Sequence, residues 1–237
     1  MNIDAIQEQA FPVAKDLRAV LRKGKWGLMD FNLNIRAPFE YDAISRFNEG
    51  RSAARRGDAW GYLNEAGEEV IPFLYDGAYP FCPEGVAWVE KDHKYALIDL
   101  EGRAITPFQY DCSGTFYKGL TVASRDERYG IINFRGEVVL PLTYYYCEPF
   151  QEGLACVQEV APDAELPYPE DVKYGFVNTQ GEVVVPCIYE RAFAFFGGEA
   201  EVKKEGKWGL INPQGETIVP FIYNNCYEIP GHEQVDI

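Results

Sequence analysis

Histidine is almost missing from this chain. Two occur in 237 residues, His93 and His232. Neither lies beside a cysteine pair, so the Cys/His sets that hold zinc are not expected. Positive charge is scarce: 22 Lys and Arg stand against 37 Asp and Glu, a formal net charge of −15. Nucleic acid and anionic membrane both need a positive surface, and both are excluded as expected partners. No apolar run approaches the ~20 residues that cross a bilayer. The first ten residues carry neither a basic start nor an apolar core, so no signal peptide is read there and a cytoplasmic location is expected. Cys82, Cys112, Cys147, Cys156, Cys187 and Cys226 form no C-x-x-C pair. They read as small apolar fillers in a reducing compartment. Gly-x-Ser-x-Gly, a phosphate-binding loop and a Cys/His nucleophile signature are all lacking. The expectation is therefore no catalytic residue, no cofactor and no metal.

What the chain does have is a repeat. Lys207-Trp208-Gly209-Leu210-Ile211-Asn212-Pro213-Gln214-Gly215 is its clearest copy. The aromatic-glycine step recurs at Trp26-Gly27, Trp60-Gly61, Tyr129-Gly130 and Tyr174-Gly175, with Tyr95-Ala96 as an imperfect copy. Successive aromatics lie 34, 35, 34, 45 and 34 residues apart. A turn follows each step, starting at Asp30, Asn64, Asp99, Asn133, Asn178 and Asn212. Its left-handed residue is assigned to Asn34, Gly67, Gly102, Gly136, Gly181 and Gly215, residue types that tolerate positive φ. A strand then ends at Pro38, Pro72, Pro107, Pro141, Pro186 or Pro220, with a tyrosine three residues on. A third strand, such as Gly153-Leu154-Ala155-Cys156-Val157, completes each unit.

A near-fixed period of this size marks a repeat architecture whose units share a core with their neighbours. The expected fold is all-β: six tandem three-stranded antiparallel β-meander repeats of about 34 residues, in an open curved array, with a closed propeller-like ring as the alternative. No Gly/Ser-rich linker interrupts the repeats, so 1–237 is read as a single domain. It comprises a lead-in over 1–12, repeats over 13–227, an inserted loop over 158–172 and a tail over 228–237. The six aromatics are read as core, because the apolar residue two positions on shares their face of an extended strand. The turn Asp and Asn residues read as turn formers: each turn offers one such side chain, and a calcium loop needs several. Glu49, Glu84 and Glu152 recur just before the third-strand glycine and read as solvated turn positions.

The combination Lys-Trp-Gly-Leu-Ile-Asn-x-x-Gly, Val-x-Pro-x-x-Tyr and Phe-x-Glu-Gly-Leu-Ala-x-Val resembles the bacterial WG repeat, also called the KWG repeat. The resemblance covers roughly residues 13 to 227. It implies a repeat class and carries no activity with it.

One segment departs from the period. Residues 158–172 replace a tight turn with an insertion of about eleven residues, carrying five acids, three prolines and Tyr168. Insertions in repeat proteins often sit on a binding face. The expected function is a non-enzymatic protein-interaction module that holds a protein partner, a basic one if charge decides, through the repeat face or this loop. Glu159, Asp163, Glu165, Tyr168, Glu170 and Asp171 are the candidate partner-binding residues. A carbohydrate or cell-wall binder, with the aromatics as a stacking ladder, is the alternative, and an enzyme with an unrecognised site is the second.

Overall fold

The structure is a computed structural model and describes residues 9–160 and 171–230. Its elements follow from two kinds of tight turn. In the first, the Asp or Asn that opens the turn accepts a backbone N–H from the residue three on, as in Gly67 to Asn64 (2.9 Å) and Gly181 to Asn178 (3.0 Å). Its side-chain oxygen takes further N–H groups two and four residues on, at 3.0 and 2.9 Å for Asn178. These bonds satisfy backbone donors that the strands leave over. Gly67, Gly102, Gly136, Gly181 and Gly215 all have positive φ. The first copy differs from expectation. Its left-handed residue is Leu33 (φ 67°), not Asn34, because Leu33 is the one three positions after Asp30 and donates to its carbonyl at 3.1 Å.

The second kind is a two-residue hairpin loop with both φ positive, the geometry that matches strand twist. Asp126-Glu127 and Glu205-Gly206 have it between the third strand and the aromatic strand. Glu49-Gly50 and Glu152-Gly153 have it before the third strand.

The chain forms two compact units, one running up to Asp111 and one beginning at Cys112. The first unit holds three antiparallel sheets. One consists of Ala10–Ala14, Leu17–Arg22, Lys25–Asp30 and Ile35–Tyr41. The next consists of Ala43–Ile44, Arg51–Arg56, Ala59–Asn64 and Glu69–Tyr75, and the last of Gly77–Ala78, Val86–Lys91 and Lys94–Asp99. The second unit also holds three. They are Cys112–Ser113, Leu120–Arg125, Arg128–Asn133 and Val138–Tyr144; Tyr146–Cys147, Leu154–Val160, Val172–Asn178 and Val183–Tyr189; and Arg191–Ala192, Ala200–Lys204, Lys207–Ile211 and Thr217–Tyr223. No sheet among the described residues closes on itself.

The expected three-stranded meander therefore has a fourth member. The link after each tyrosine contributes a short first strand, two residues long in five of the sheets. Ala10–Ala14, whose first three residues fall in the expected lead-in over 1–12, supplies it in the first sheet.

Each middle sheet is covered on both faces within its unit. Ala54 and Leu63 pack with Leu28 and Ala37 of the sheet before, while Ala53, Tyr62 and Ile71 pack with Ala87 and Ile98 of the sheet after. In the second unit Ala155, Val157 and Val177 face one way, and Cys156, Phe176 and Val185 the other.

The glycine of the aromatic-glycine step has a packing reason. Opposite it the last strand bulges: Trp60 pairs with Tyr75 and Tyr62 with Ile71, so two extra residues, Phe73 and Leu74, lie between. The proline before them lacks an N–H and fits a bulge. The bulged backbone then crowds the glycine. A Cβ on Gly130 would lie 2.5 Å from the Leu140 carbonyl oxygen, and one on Gly175 would lie 2.5 Å from that of Val185. The exception supports the reason. Where the step reads Tyr95-Ala96, no continuous last strand forms; two isolated bridges, Tyr95 to Tyr110 and Ile98 to Ala104, remain. The Leu97 N–H turns to the Thr106 hydroxyl at 2.9 Å.

Replacing Gly130 by Ala is expected to cost at least about 2 kcal/mol in urea denaturation, as overpacking against backbone does. Gly153→Ala, where no atom lies within 4 Å of the added carbon but φ is +88°, serves as the control. It should cost about 1 kcal/mol, from left-handed strain alone.

Candidate interaction surface

The six step aromatics sit at the first residues of their strands, hence at the rim of the layers. Trp26, Trp60, Tyr95, Tyr129, Tyr174 and Trp208 are each partly buried and none is fully so. Trp60 lies against the same cluster as Tyr62, and Tyr174 against that of Phe176, so the shared face is as expected. The depth is not: these rings border the core rather than forming it. Four carry an aromatic neighbour. Phe11 meets Trp26 edge-on at 5.2 Å, Tyr79 is tilted on Tyr95 at 6.1 Å, Tyr146 meets Tyr129 edge-on at 5.0 Å, and Phe193 stacks on Trp208 at 5.6 Å. The lysine before the step is tied down in three copies. Lys25 reaches Asp42 at 2.5 Å, Lys94 reaches Asp111, and Lys207 reaches Asn224 at 2.5 Å.

The turn acids do local work as expected. Asn64, Asn133, Asn178 and Asn212 each donate from the side-chain amide to the Glu four residues on, at 2.7 to 2.8 Å. Where the turn opens with Asp the polarity reverses: Asn34 donates to Asp30 at 2.9 Å and Arg103 to Asp99 at 2.7 Å. The hydrogen bonds from Asn34 hold the Asp30 carboxyl below its ordinary range. Glu152 spans two repeats, accepting the Gly197 and Gly198 N–H groups at 2.8 and 2.9 Å. Among the described residues, no group of three His, Cys, Asp or Glu side chains is placed to hold a metal.

The insertion begins later than its sequence suggests. The strand ladder continues through Glu159–Lys173 to Val160–Val172, one pair beyond the equivalent ladder that ends at Arg125–Arg128. Gln158, Glu159, Val160 and Val172 thus belong to strands. Of the candidate residues, Glu159 is exposed on its strand and Asp171 is half-buried at the neck. Asp163, Glu165, Tyr168 and Glu170 lie outside the described residues.

Burial, reinforced by the Glu159 carboxylate, pushes the Cys187 thiol up to about 12. Burial likewise raises Cys147 to about 12 and Cys82 to about 11, and raises Cys156. All six thiols are free.

Two further features were not anticipated. The last strands of the second unit expose aliphatic side chains in consecutive repeats: Val138 and Val183 at their starts, Ile188 and Ile222 just before the closing tyrosines. The other is a cavity of about 360 Å³ in the last repeat. It lies between the third strand Ala200–Lys204, the preceding link and a single 3-10 turn at Cys226–Glu228. Phe193, Phe196 and Tyr227 supply rings, and Glu199 and Glu201 carboxylates. One signal for it was present in the sequence. At the register of Glu201, opposite the residue after the step glycine, the other repeats carry Ala19, Ala53, Trp88, Val122 and Cys156.

A model of the WG containing repeat matches this chain at residues 26–58, 60–95, 129–159, 174–208 and 208–230. The stretch from 96 to 128, which follows Tyr95-Ala96, is not among them. No curated protein matches significantly. Among solved structures, one described as the eukaryotic initiation factor is 9% identical over 92% of this chain and 67% of that chain, with a TM-score of 0.50. Hsv2p of Kluyveromyces lactis is 10% identical over 88% of this chain and 74% of that chain, at 0.44. At such identities the likeness is one of backbone path alone.

Two outcomes are expected. Joining Glu159 to Lys173 through Asn-Gly, in place of the insertion, should leave the thermal midpoint within a few degrees, since loop length enters stability logarithmically. The buried thiols give a pH dependence. Their folded pKa lies above the unfolded value near 9, so their stabilisation is complete below that value and is lost as pH rises through the folded value. The urea midpoint should fall between about pH 9 and about pH 11, with a shallower slope for Cys147→Ala and Cys187→Ala.

Proposed function

The chain belongs to the WG containing repeat family, and from that premise we propose that it is a non-enzymatic module that holds a protein partner on its repeats. The observation that supports this best is the run of exposed aliphatic side chains on the last strands of neighbouring repeats. Val183, Ile188 and Ile222 are 50%, 49% and 61% exposed. Apolar side chains grouped on an outer strand, rimmed by polar ones, are what protein interfaces use. The acidic neck at Glu159 and Asp171 lies in the same unit and would steer a basic partner. The polar side chains that a catalytic reading would need are engaged in turns and between repeats, as at Asn178 and Glu152. Six free thiols, four of them buried, suit a reducing compartment, and we place the protein in the cytoplasm. Among the described residues no helix is long and apolar enough to cross a membrane.

The carbohydrate alternative draws on one observation, the partial exposure of the step aromatics. Against it, Trp26, Tyr95, Tyr129 and Trp208 already meet rings of this chain.

The double variant Ile188→Asp, Ile222→Asp should keep its stability within about 0.5 kcal/mol, as exposed substitutions do. It should also lose cross-linked capture of a stoichiometric protein partner from native extract. Normal capture by the double variant would remove the outer strands from the interface. Quenching of tryptophan fluorescence by a glycan, with no protein captured, would favour the alternative.

A further inference from the structure

The fifth repeat departs from its neighbours at the base of the insertion. In three other places the residue after the closing tyrosine is an acid, and it accepts an N–H at the tip of the next hairpin. Asp42 takes the Gly57 N–H at 2.8 Å, Asp76 that of Asp92 at 2.7 Å, and Glu190 that of Gly206 at 3.2 Å. Each acid thus caps a loop donor that the strands leave over. The same place in the fifth repeat holds Tyr145. Backbone bonds fix the register: Tyr145 donates to the Gln158 carbonyl as Asp42 does to Arg55, Asp76 to Glu90 and Glu190 to Lys203, all at 2.8 Å. The residue in the place of Gly57 is then Val160, which the ladder pairs with Val172. No tip donor is left there for an acid to cap.

The next residue departs as well. Tyr146 stands at the register of Ala43, Gly77, Cys112 and Arg191. Tyr145 is 39% exposed and Tyr146 40%. Tyr146 is held edge-on against Tyr129 at 5.0 Å. Two tyrosines in solvent thus replace an acid and a smaller or charged residue. Their surroundings are acidic. Over residues 145–189 the sequence holds eight acids and one base, Lys173, which is nearly half of the chain's net charge of −15. Exposed Glu159 follows Gln158, the residue paired with Tyr146. Elsewhere this chain covers ring faces with its own guanidinium groups, Arg22 over Phe39 and Arg56 over Phe73, both at 4.5 Å. Among the described residues no such group lies over Tyr145 or Tyr146.

We propose that Tyr145 and Tyr146 anchor an arginine-bearing segment of the protein partner, whose guanidinium planes lie on the two rings in the acidic field of the fifth repeat. The ring quadrupole and the surrounding acids attract the same charge, so together they select a cation. Arginine is favoured over lysine because its flat group stacks on a ring face and is the more weakly hydrated of the two. The field draws the basic segment in before the rings engage it. A tyrosine presents a large, stiff contact surface at little entropic cost, as interface anchors do.

The test uses the full chain and the blocked peptide acetyl-Gly-Arg-Gly-Arg-Gly-Arg-amide, followed by NMR with the tyrosine rings assigned. Comparison peptides carry citrulline or lysine in place of arginine. The arginine peptide should shift Tyr145 and Tyr146 saturably. The citrulline peptide, equal in shape and uncharged, should bind about tenfold more weakly, and lysine should fall between. The double variant Tyr145→Asp, Tyr146→Ala gives the fifth repeat the pair that the second carries as Asp42 and Ala43. The same backbone already accepts both residues there, so the thermal midpoint should hold. This variant is more acidic than the parent. Attraction by charge alone would tighten its hold on the arginine peptide, whereas loss of the rings should weaken it about fivefold. Tyr145→Asp alone makes the same contrast and leaves the Tyr146–Tyr129 contact in place. Equal binding of arginine and citrulline, unchanged or tighter binding by either variant, or shifts confined to other residues overturns the assignment. The proposal rests on the protein-partner reading. Failure of the peptide titration removes the tyrosine anchor and leaves that reading intact, whereas normal capture by the outer-strand double variant bears on that reading and leaves the titration standing.

Discussion

No sheet among the described residues has a core of its own. A four-stranded sheet with both faces apolar is insoluble alone, and here adjacent residues of one strand, such as Ala53 and Ala54, serve two different layers. Everything else follows from the need to bring neighbouring sheets close. The strands must be short and apolar on both sides, the turns must be tight, and the polar backbone at the turns must be satisfied locally. Asp and Asn openers accomplish the last of these with their own side chains. The bulge after the proline accomplishes the first, turning the last strand at a place where only a glycine opposite can make room.

Much of this was legible in the residues. The six turns and the aromatic strands can be read from glycine and aromatic positions, because those residue types are chosen by backbone geometry rather than by context; proline misplaces the end of the last strand, which runs three residues further, to the tyrosine, in five sheets. What was not legible failed for identifiable reasons. The two-residue first strands, such as Ala43–Ile44, are too short to leave any alternation. Leu33 in a left-handed position contradicts its own preference, so Asn34 beside it looked the better choice. Periodicity gave the step aromatics the right face but could not give their depth, since a strand's end and its middle share one pattern. The insertion appeared longer than it is because Val160 and Val172 extend a ladder that the other repeats stop earlier.

The site was legible only in part. Glu159 and Asp171 stood out by composition, and they mark the neck of the insertion. The cavity of the last repeat depends on Phe193, Phe196 and Tyr227, which come from two separate stretches and share no motif. Only Glu201 left a trace, as an acid in a column of apolar residues. Such a trace becomes visible when the repeats are aligned on strand register rather than on the aromatic-glycine step alone.

The paired turn positions carry a consequence for substitution. In four repeats an amide four residues ahead of a Glu donates to it; in two, an acid stands first and a donor follows, Asn34 or Arg103. Changing Asn to Asp while the Glu remains sets two carboxylates against each other. Changing the Glu first leaves the amide without its acceptor. The hydrogen bond across the turn is therefore kept only when both residues of the pair are exchanged together, so the two positions form one unit of turn chemistry in either polarity.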